Sequence, residues 1–224
     1  FKREFENEAE RLKADSEAGQ NAAGEGIVLL LNNEDALPII DNQKVSLFGV
    51  GSASILYGGI GSGAVDASTA PTMKMALEES GFEVNPVLWD FYTIGAAKDI
   101  RMQQPDIAGN GRYIIHEASP EMFTSKEEES FKEYGDVAIV TLSRSGGESS
   151  DLPIKYDESY AKEASGEGYT GRWKSNPVSS PEDIGRNYLQ LTKYEEDLIK
   201  YVSERFEKVV VVLNSSNQME LGFL

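Results

Sequence analysis

A single glutamate among small residues is the strongest candidate for chemistry in this sequence. It is Glu148, in the segment Ser143–Asp151 (SRSGGESSD), which directly follows an apolar run at 137–142. Small neighbours leave room for a bulky ligand, and a carboxyl partly removed from water has the raised pKa that a general acid needs. Arg144 and Asp151 flank it, as substrate contacts or as members of a salt bridge. Spacing alone leaves two readings open, a catalytic carboxylate and an ordinary loop carboxylate.

Other catalytic and cofactor-binding patterns are weak. The sequence has no cysteine and one histidine, His116, which excludes thiol chemistry, cysteine-based metal sites and sites that need two histidines. No Gly-x-Ser-x-Gly motif accompanies His116, so we expect an ordinary surface or loop histidine. Gly49–Ser54 follows a predicted strand but lacks the third glycine and the acidic residue of a dinucleotide fingerprint. The net charge of −17 argues against nucleic acid as a partner.

The elements that would position Glu148 alternate between helices and strands. Apolar runs predict strands at 44–48, 82–87, 136–142 and 209–213. Amphipathic spacing and caps predict helices at 1–23, 68–81 and 88–102, and two more that begin with the capping boxes Ser125/Glu128 and Thr192/Glu195. Apolar strands separated by helices are typical of a parallel sheet covered on both faces. The long segment 143–188 leaves the C-terminal end of a central strand, where such sheets bind ligands.

The lengths of the apolar runs and the identity of the first residue support two further expectations. The longest apolar runs, Ile27–Leu31 and Val209–Leu213, have five residues each, whereas a membrane-spanning helix needs about 20. The first residue is Phe1 and not methionine, so we expect a part of a longer protein.

Five stretches, in order along nearly the whole chain, resemble motifs of glycoside hydrolase family three, the β-glucosidase family. They are EGIVLL with ALPI within 25–39, KVSLFG at 44–49, GGIGSG at 58–63, VAIVTLSRSGGESSD at 137–151 and KVVVVLNSSNQMEL at 208–221. The resemblance implies an α/β three-layer sandwich with a mostly parallel central sheet, present as a partial domain over 1–224 without the family's (β/α)8 barrel. The early glycine loop and the MELGFL ending are most similar to the subgroup in which the sandwich precedes the barrel.

The resemblance also implies a chemistry. Family members use a retaining mechanism with an Asp nucleophile in the barrel and an acid/base Glu in the sandwich, and need no metal or cofactor. The glutamate of the family's SGEG motif corresponds to Glu148, which would protonate the leaving oxygen and then activate water. Gly146, Ser149 and Leu152 replace the usual Ser, Gly and Arg of this loop, so its geometry is expected to differ. The implied substrates are terminal β-D-glucosides or related β-glycosides such as xylosides.

The long segment 143–188 contains an alternative acid/base residue and several aromatic residues that could contact a sugar. Glu167 stands in a literal SGEGY sequence and is the alternative acid/base, but we favour Glu148 because it directly follows the strand at 137–142. Tyr169 and Trp173, with Tyr156 and Tyr160, have rings that suit the faces of a sugar, or that anchor the loop to the domain.

A rival interpretation keeps the fold without the chemistry. The chain would then be a non-catalytic carbohydrate-binding or scaffold module. In either case we expect an incomplete sheet edge or apolar face near 209–224, which a barrel-containing remainder of the protein or a second copy would cover. The sequence specifies neither the sugar and linkage nor a cytoplasmic or cell-surface location.

Overall fold

The chain divides into two compact units, Phe1–Pro38 and Ile39–Leu224. A computed structural model describes residues 4–40, 42–102, 113–148, 152–156 and 180–224. In the first unit, helix α1 spans Glu8–Gly26, because the side chain of Asn7 accepts a hydrogen bond from the first turn and Asn7 itself is extended. The predicted start at residue 1 was therefore too early. The apolar run Ile27–Leu31 is exposed and lies outside the strands.

The second unit alternates strands with helices, as the sequence predicts. The strands are β1 (Lys44–Phe48), β2 (Glu83–Val84), β3 (Val137–Arg144) and β4 (Val209–Ser215). The helices are α2 (Val50–Ala53), α3 (Met73–Glu79), α4 (Pro86–Thr93), α5 (Ser125–Glu133) and α6 (Lys193–Ser203). Single 3-10 turns lie at Asn33–Asp35, Gly61–Gly63, Pro120–Met122 and Pro181–Asp183.

The strands form a parallel sheet with the order β2-β1-β3-β4. Val45 pairs with Val137, and Ala138 pairs with Val209, so β1 and β3 are central. Within the described residues, β4 pairs with β3 along one side, and its side chains are half-buried. The α/β fold class predicted from the sequence is confirmed.

The two faces of the sheet carry separate apolar layers because neighbouring strand residues point to opposite sides. One layer joins Val45, Leu47, Val137 and Ile139 to Met73 and Leu77 of α3. The other joins Phe48, Val140 and Leu142 to Phe91, Phe131 and Leu198 from α4, α5 and α6. The three layers thus bury both faces of the central strands and hold their carboxyl ends in fixed positions.

Several predicted boundaries differ from the structure. The capping box of α5 uses Thr124 and Glu127, one residue before the predicted pair, whereas the Thr192/Glu195 box of α6 is confirmed. Helix α3 begins at Met73, after the cap Thr72, and not at residue 68 or 69. Helix α4 ends at Thr93, well before residue 102. The N–H groups of Ile94 and Gly95 both donate hydrogen bonds to the carbonyl of Asp90.

Candidate active site

Glu148 lies at the carboxyl end of a central strand, as the sequence predicts. Strand β3 ends at Arg144, and a short glycine-containing loop then leads to Glu148, which is exposed. Gly147 in this loop forms an isolated parallel bridge with Ile60, which belongs to the glycine-rich loop 58–63. The two glycine-rich stretches are therefore in direct contact, although 86 residues separate Ser62 from Glu148.

The carboxylate of Glu148 is held by a single residue of the neighbouring loop. The backbone N–H of Ser62 donates to Oε2 of Glu148 at 3.0 Å, and the Ser62 hydroxyl donates to the same oxygen. The side-chain hydrogen bond from Ser62, and then its backbone hydrogen bond, lower the pKa of Glu148. These hydrogen bonds favour the carboxylate form of Glu148, and an acid role requires a further change in its surroundings.

Two glycines permit this close contact. Gly61 has φ of +71°, and a Cβ there would lie 3.0 Å from both Cβ and Oε2 of Glu148. A Cβ on Gly147 would lie 1.8 Å from Cγ1 of Ile60, far inside van der Waals contact. Glycine at both positions therefore allows the loop 58–63, which contains Ser62, to approach Glu148.

Arg144, a predicted substrate contact, is fully buried at the base of the same loop. Nη1 and Nη2 donate to the two carboxylate oxygens of Glu195 at 2.7 and 2.8 Å. The remaining N–H groups donate to the backbone carbonyls of Tyr188, Ser143 and Gln190 at 2.7–2.9 Å. All five donors thus contact protein atoms, and a direct contact with a substrate requires one of these hydrogen bonds to be exchanged.

Glu195 ties Arg144 to the start of α6. Its Oε2 atom also accepts a hydrogen bond from the backbone N–H of Thr192 at 2.8 Å, within the capping box. The side chain of Glu195 is 3% exposed, so the ion pair is almost fully removed from water. The carboxyl end of β3 is consequently fixed to a helix terminus by a network in which every donor of Arg144 is used.

The remaining predicted site residues have different outcomes. Tyr156 is buried with Ile60, Tyr113 and Tyr188 in a small apolar cluster, which corresponds to the anchoring alternative. Predicted residues that lie outside the described residues are Asp151, Tyr160, Glu167, Tyr169 and Trp173.

A second polar region, which the sequence did not indicate, lies where the strand order reverses between β1 and β3. A cavity of about 390 Å³ is lined there by Arg101, His116, Glu117 and Ser143, among others. His116 lies outside the helices and strands, as the loop alternative predicts, but it is buried, so a surface position was wrong. Burial lowers its pKa to about 4. Burial raises the pKa of Glu117 to about 8 despite a hydrogen bond from the N–H of Val50 at 2.9 Å.

The described residues contain no group of three or more His, Asp or Glu side chains arranged to hold a metal ion. No helix in the described part of the chain is both long enough and apolar enough to cross a membrane.

The parallel sheet and the helices on both of its faces define an α/β sandwich, and comparison with known proteins gives its family. Residues 27–223 match the model of the glycosyl hydrolase family 3 C-terminal domain, and the chain belongs to this family. It is 30% identical over 199 residues to beta-glucosidase A of Butyrivibrio fibrisolvens, covering 86% of this chain and 21% of that protein.

Two solved structures share the fold. Beta-glucosidase 3B from Thermotoga neapolitana, in complex with glucose, aligns with a TM-score of 0.64 and 26% identity over 95% of this chain and 26% of its own. A beta-glucosidase from Paenibacillus barengoltzii aligns with a TM-score of 0.64 and 23% identity over 92% of this chain and 19% of its own. The chain thus spans about a fifth to a quarter of the length of these relatives.

Proposed function

We propose that this chain is the sandwich part of a retaining β-glycosidase and that Glu148 is its acid/base residue. The observation that carries the proposal is the position of Glu148, exposed on a loop at the carboxyl end of β3 in a chain of this family. The substrates we propose are terminal β-D-glucosides or related β-glycosides. The nucleophile belongs to a (β/α)8 barrel, and we call the longer protein that joins this chain to it the barrel-containing protein.

Glu148 acts in both halves of the proposed reaction. In the first, the barrel carboxylate bonds to the anomeric carbon, the glycosidic C–O bond breaks, and Glu148 gives its proton to the departing oxygen. In the second, Glu148 as carboxylate takes a proton from water, the water oxygen bonds to the anomeric carbon, and the bond to the nucleophile breaks. Each half leaves Glu148 in the protonation state that the next one requires.

The lowered pKa of Glu148 favours the carboxylate form, which the second half of the reaction requires. It disfavours the protonated form, which the first half requires. The two carboxyl groups of a retaining pair lie about 5–5.5 Å apart. A second carboxylate at that distance disfavours ionisation and raises the pKa of its neighbour. We therefore propose that docking of the barrel supplies the change in surroundings that protonates Glu148 for the first half.

Arg144 has a positioning role in this proposal. It lies four residues before Glu148, and its ion pair with Glu195 fixes the point where the loop leaves the sheet. Asp151, Tyr169 and Trp173 stay predicted substrate contacts, and Glu167 stays the alternative acid/base residue.

The rival function, a non-catalytic carbohydrate-binding or scaffold module, is favoured by one observation. Glu148 accepts hydrogen bonds from Ser62 that lower its pKa and favour the carboxylate form, as in an ordinary loop carboxylate. A scaffold role predicts that loss of the Glu148 carboxylate leaves turnover of the barrel-containing protein unchanged, whereas the acid/base role predicts a large loss.

The separate 224-residue chain is expected to be inactive on aryl β-glucosides, because the two-step route cannot begin without the nucleophile. Release of 4-nitrophenol from 4-nitrophenyl β-D-glucoside measures this directly, with the barrel-containing protein as positive control. Turnover by the purified chain that disappears in the Glu148→Ala chain would contradict the proposed division of the site. Turnover that persists in that variant would reveal a contaminating glycosidase.

A further inference from the structure

The glycine-rich loop 58–63 contacts the loop that carries Glu148 and the side chain of Glu148 itself. Its Ile60 is bridged to Gly147, and the N–H and hydroxyl of Ser62 both donate to Oε2 of Glu148. Within the described residues, no hydrogen bond is directed at the other carboxylate oxygen, Oε1. The contact therefore holds the carboxylate through one oxygen, Oε2.

The electrostatic surroundings of Glu148 are simple in the described part of the chain. Loop 58–63 has the sequence GGIGSG and contains no titratable side chain. Arg144, on the strand that leads to Glu148, is engaged by Glu195, and no described residue forms an ion pair with Glu148. The two hydrogen bonds from Ser62 lower the pKa of Glu148 and favour its carboxylate form.

We propose that Ser62 is a positioning residue that holds Glu148 as a carboxylate through Oε2, so that Oε1 is the oxygen that accepts the proton of the attacking water. This inference rests on the proposed acid/base function of Glu148. Hydrogen bonds from N–H and O–H groups stabilise the charged form, so Ser62 assists the water-activating half of the reaction. In the bond-cleaving half the same two donors disfavour the protonated form of Glu148.

The hydroxyl of Ser62 can be tested separately from its backbone N–H. Ser62 is exposed, so Ser62→Ala removes the hydroxyl without opening a core cavity, and Ser62→Thr keeps a hydroxyl donor as the matched control. Both are made in the barrel-containing protein and assayed with two glucosides. A 2,4-dinitrophenyl glucoside has a good leaving group and reports the water-activating half, and a methyl or alkyl glucoside reports the bond-cleaving half.

Ser62→Ala is expected to reduce kcat for the 2,4-dinitrophenyl glucoside by roughly fivefold to tenfold, because the base is less well oriented. With the alkyl glucoside, loss of a donor raises the pKa of Glu148, so the acid form persists to higher pH. The basic limb of the kcat/KM profile is then expected to move upward by about half to one pH unit. Ser62→Thr is expected to restore both values.

The outcomes separate this inference from the proposed function. Unchanged kcat and unchanged pH profiles in Ser62→Ala, alongside a severe defect in Glu148→Ala, would overturn the role of Ser62 and leave the acid/base function standing. A downward shift of the basic limb would also overturn it. Full activity of Glu148→Ala would remove the proposed function itself, whatever Ser62→Ala does.

Discussion

Glu148→Ala in the barrel-containing protein is expected to lower kcat/KM for an alkyl β-glucoside by about 10³-fold, within the range of general acid–base catalysis. The loss is large because an alkoxide is a poor leaving group and departs slowly without a proton. A 2,4-dinitrophenolate departs without help, so kcat/KM for that glucoside is expected to change far less. Steady-state kinetics on the two substrates therefore measure the acid role directly.

The base role of Glu148 can be measured separately, by adding azide to the Glu148→Ala variant. Without the Glu148 carboxylate, the glycosyl-enzyme intermediate hydrolyses slowly, and a small anionic nucleophile needs no base to attack it. Added azide is expected to accelerate turnover of the 2,4-dinitrophenyl glucoside by Glu148→Ala and to yield a glycosyl azide of β configuration. Identification of that product by NMR checks retention as well as the role of Glu148.

Glu167→Ala is the matched control, because Glu167 stands in the literal SGEGY sequence. We expect it to retain wild-type kinetics on both substrates and to show no response to azide. Azide rescue of Glu167→Ala together with wild-type behaviour of Glu148→Ala would transfer the acid/base role to Glu167. An inactive Glu148→Ala with no azide response on either substrate would count against a base role.

The sheet was predictable because its central strands are nearly continuous apolar runs. Strand β3 is buried along almost its whole length, and such a run between capped helices has few alternative folds. Helix ends were less predictable, since competing caps were present. Around α5, Thr124 with Glu127 and Ser125 with Glu128 both satisfy the capping-box spacing, and local backbone geometry selects the first.

The position of the candidate site was predictable, but its contacts were not. Glu148 was identified because it follows a buried strand, and this depends on local sequence. Its partner Ser62 lies 86 residues away, and Glu195 lies 51 residues from Arg144, so both contacts depend on the packing of distant segments. Glu117 had no sequence signal at all, because it stands in an irregular stretch without a recognisable period.

Among structural substitutions, Glu195→Gln is expected to destabilise the sandwich most. It keeps the size of the side chain but removes the charge that compensates Arg144, whose side chain is fully buried. Removing one member of a buried ion pair typically costs about 3–5 kcal/mol, because the remaining charge stays in a medium of low polarity. Urea denaturation of the barrel-containing protein, followed by probes on the sandwich, measures the loss in the free energy of unfolding.

The adjacent residue provides a control with the same chemistry at the surface. Glu196 accepts hydrogen bonds from both terminal nitrogens of Arg186, at 2.6 and 2.9 Å, but its side chain is 45% exposed. Water solvates either charge when the partner is lost, so Glu196→Gln is expected to cost at most about 1 kcal/mol. The helix, the residue change and the bidentate geometry are the same in the two variants. Glu195 also accepts the Thr192 N–H of the capping box, so the difference between the variants measures burial together with that one hydrogen bond. Equal losses would mean that burial does not make the Arg144–Glu195 pair critical. A larger loss for Glu195→Gln, accompanied by a lower kcat, would link the stability of the β3 end to the positioning of Glu148.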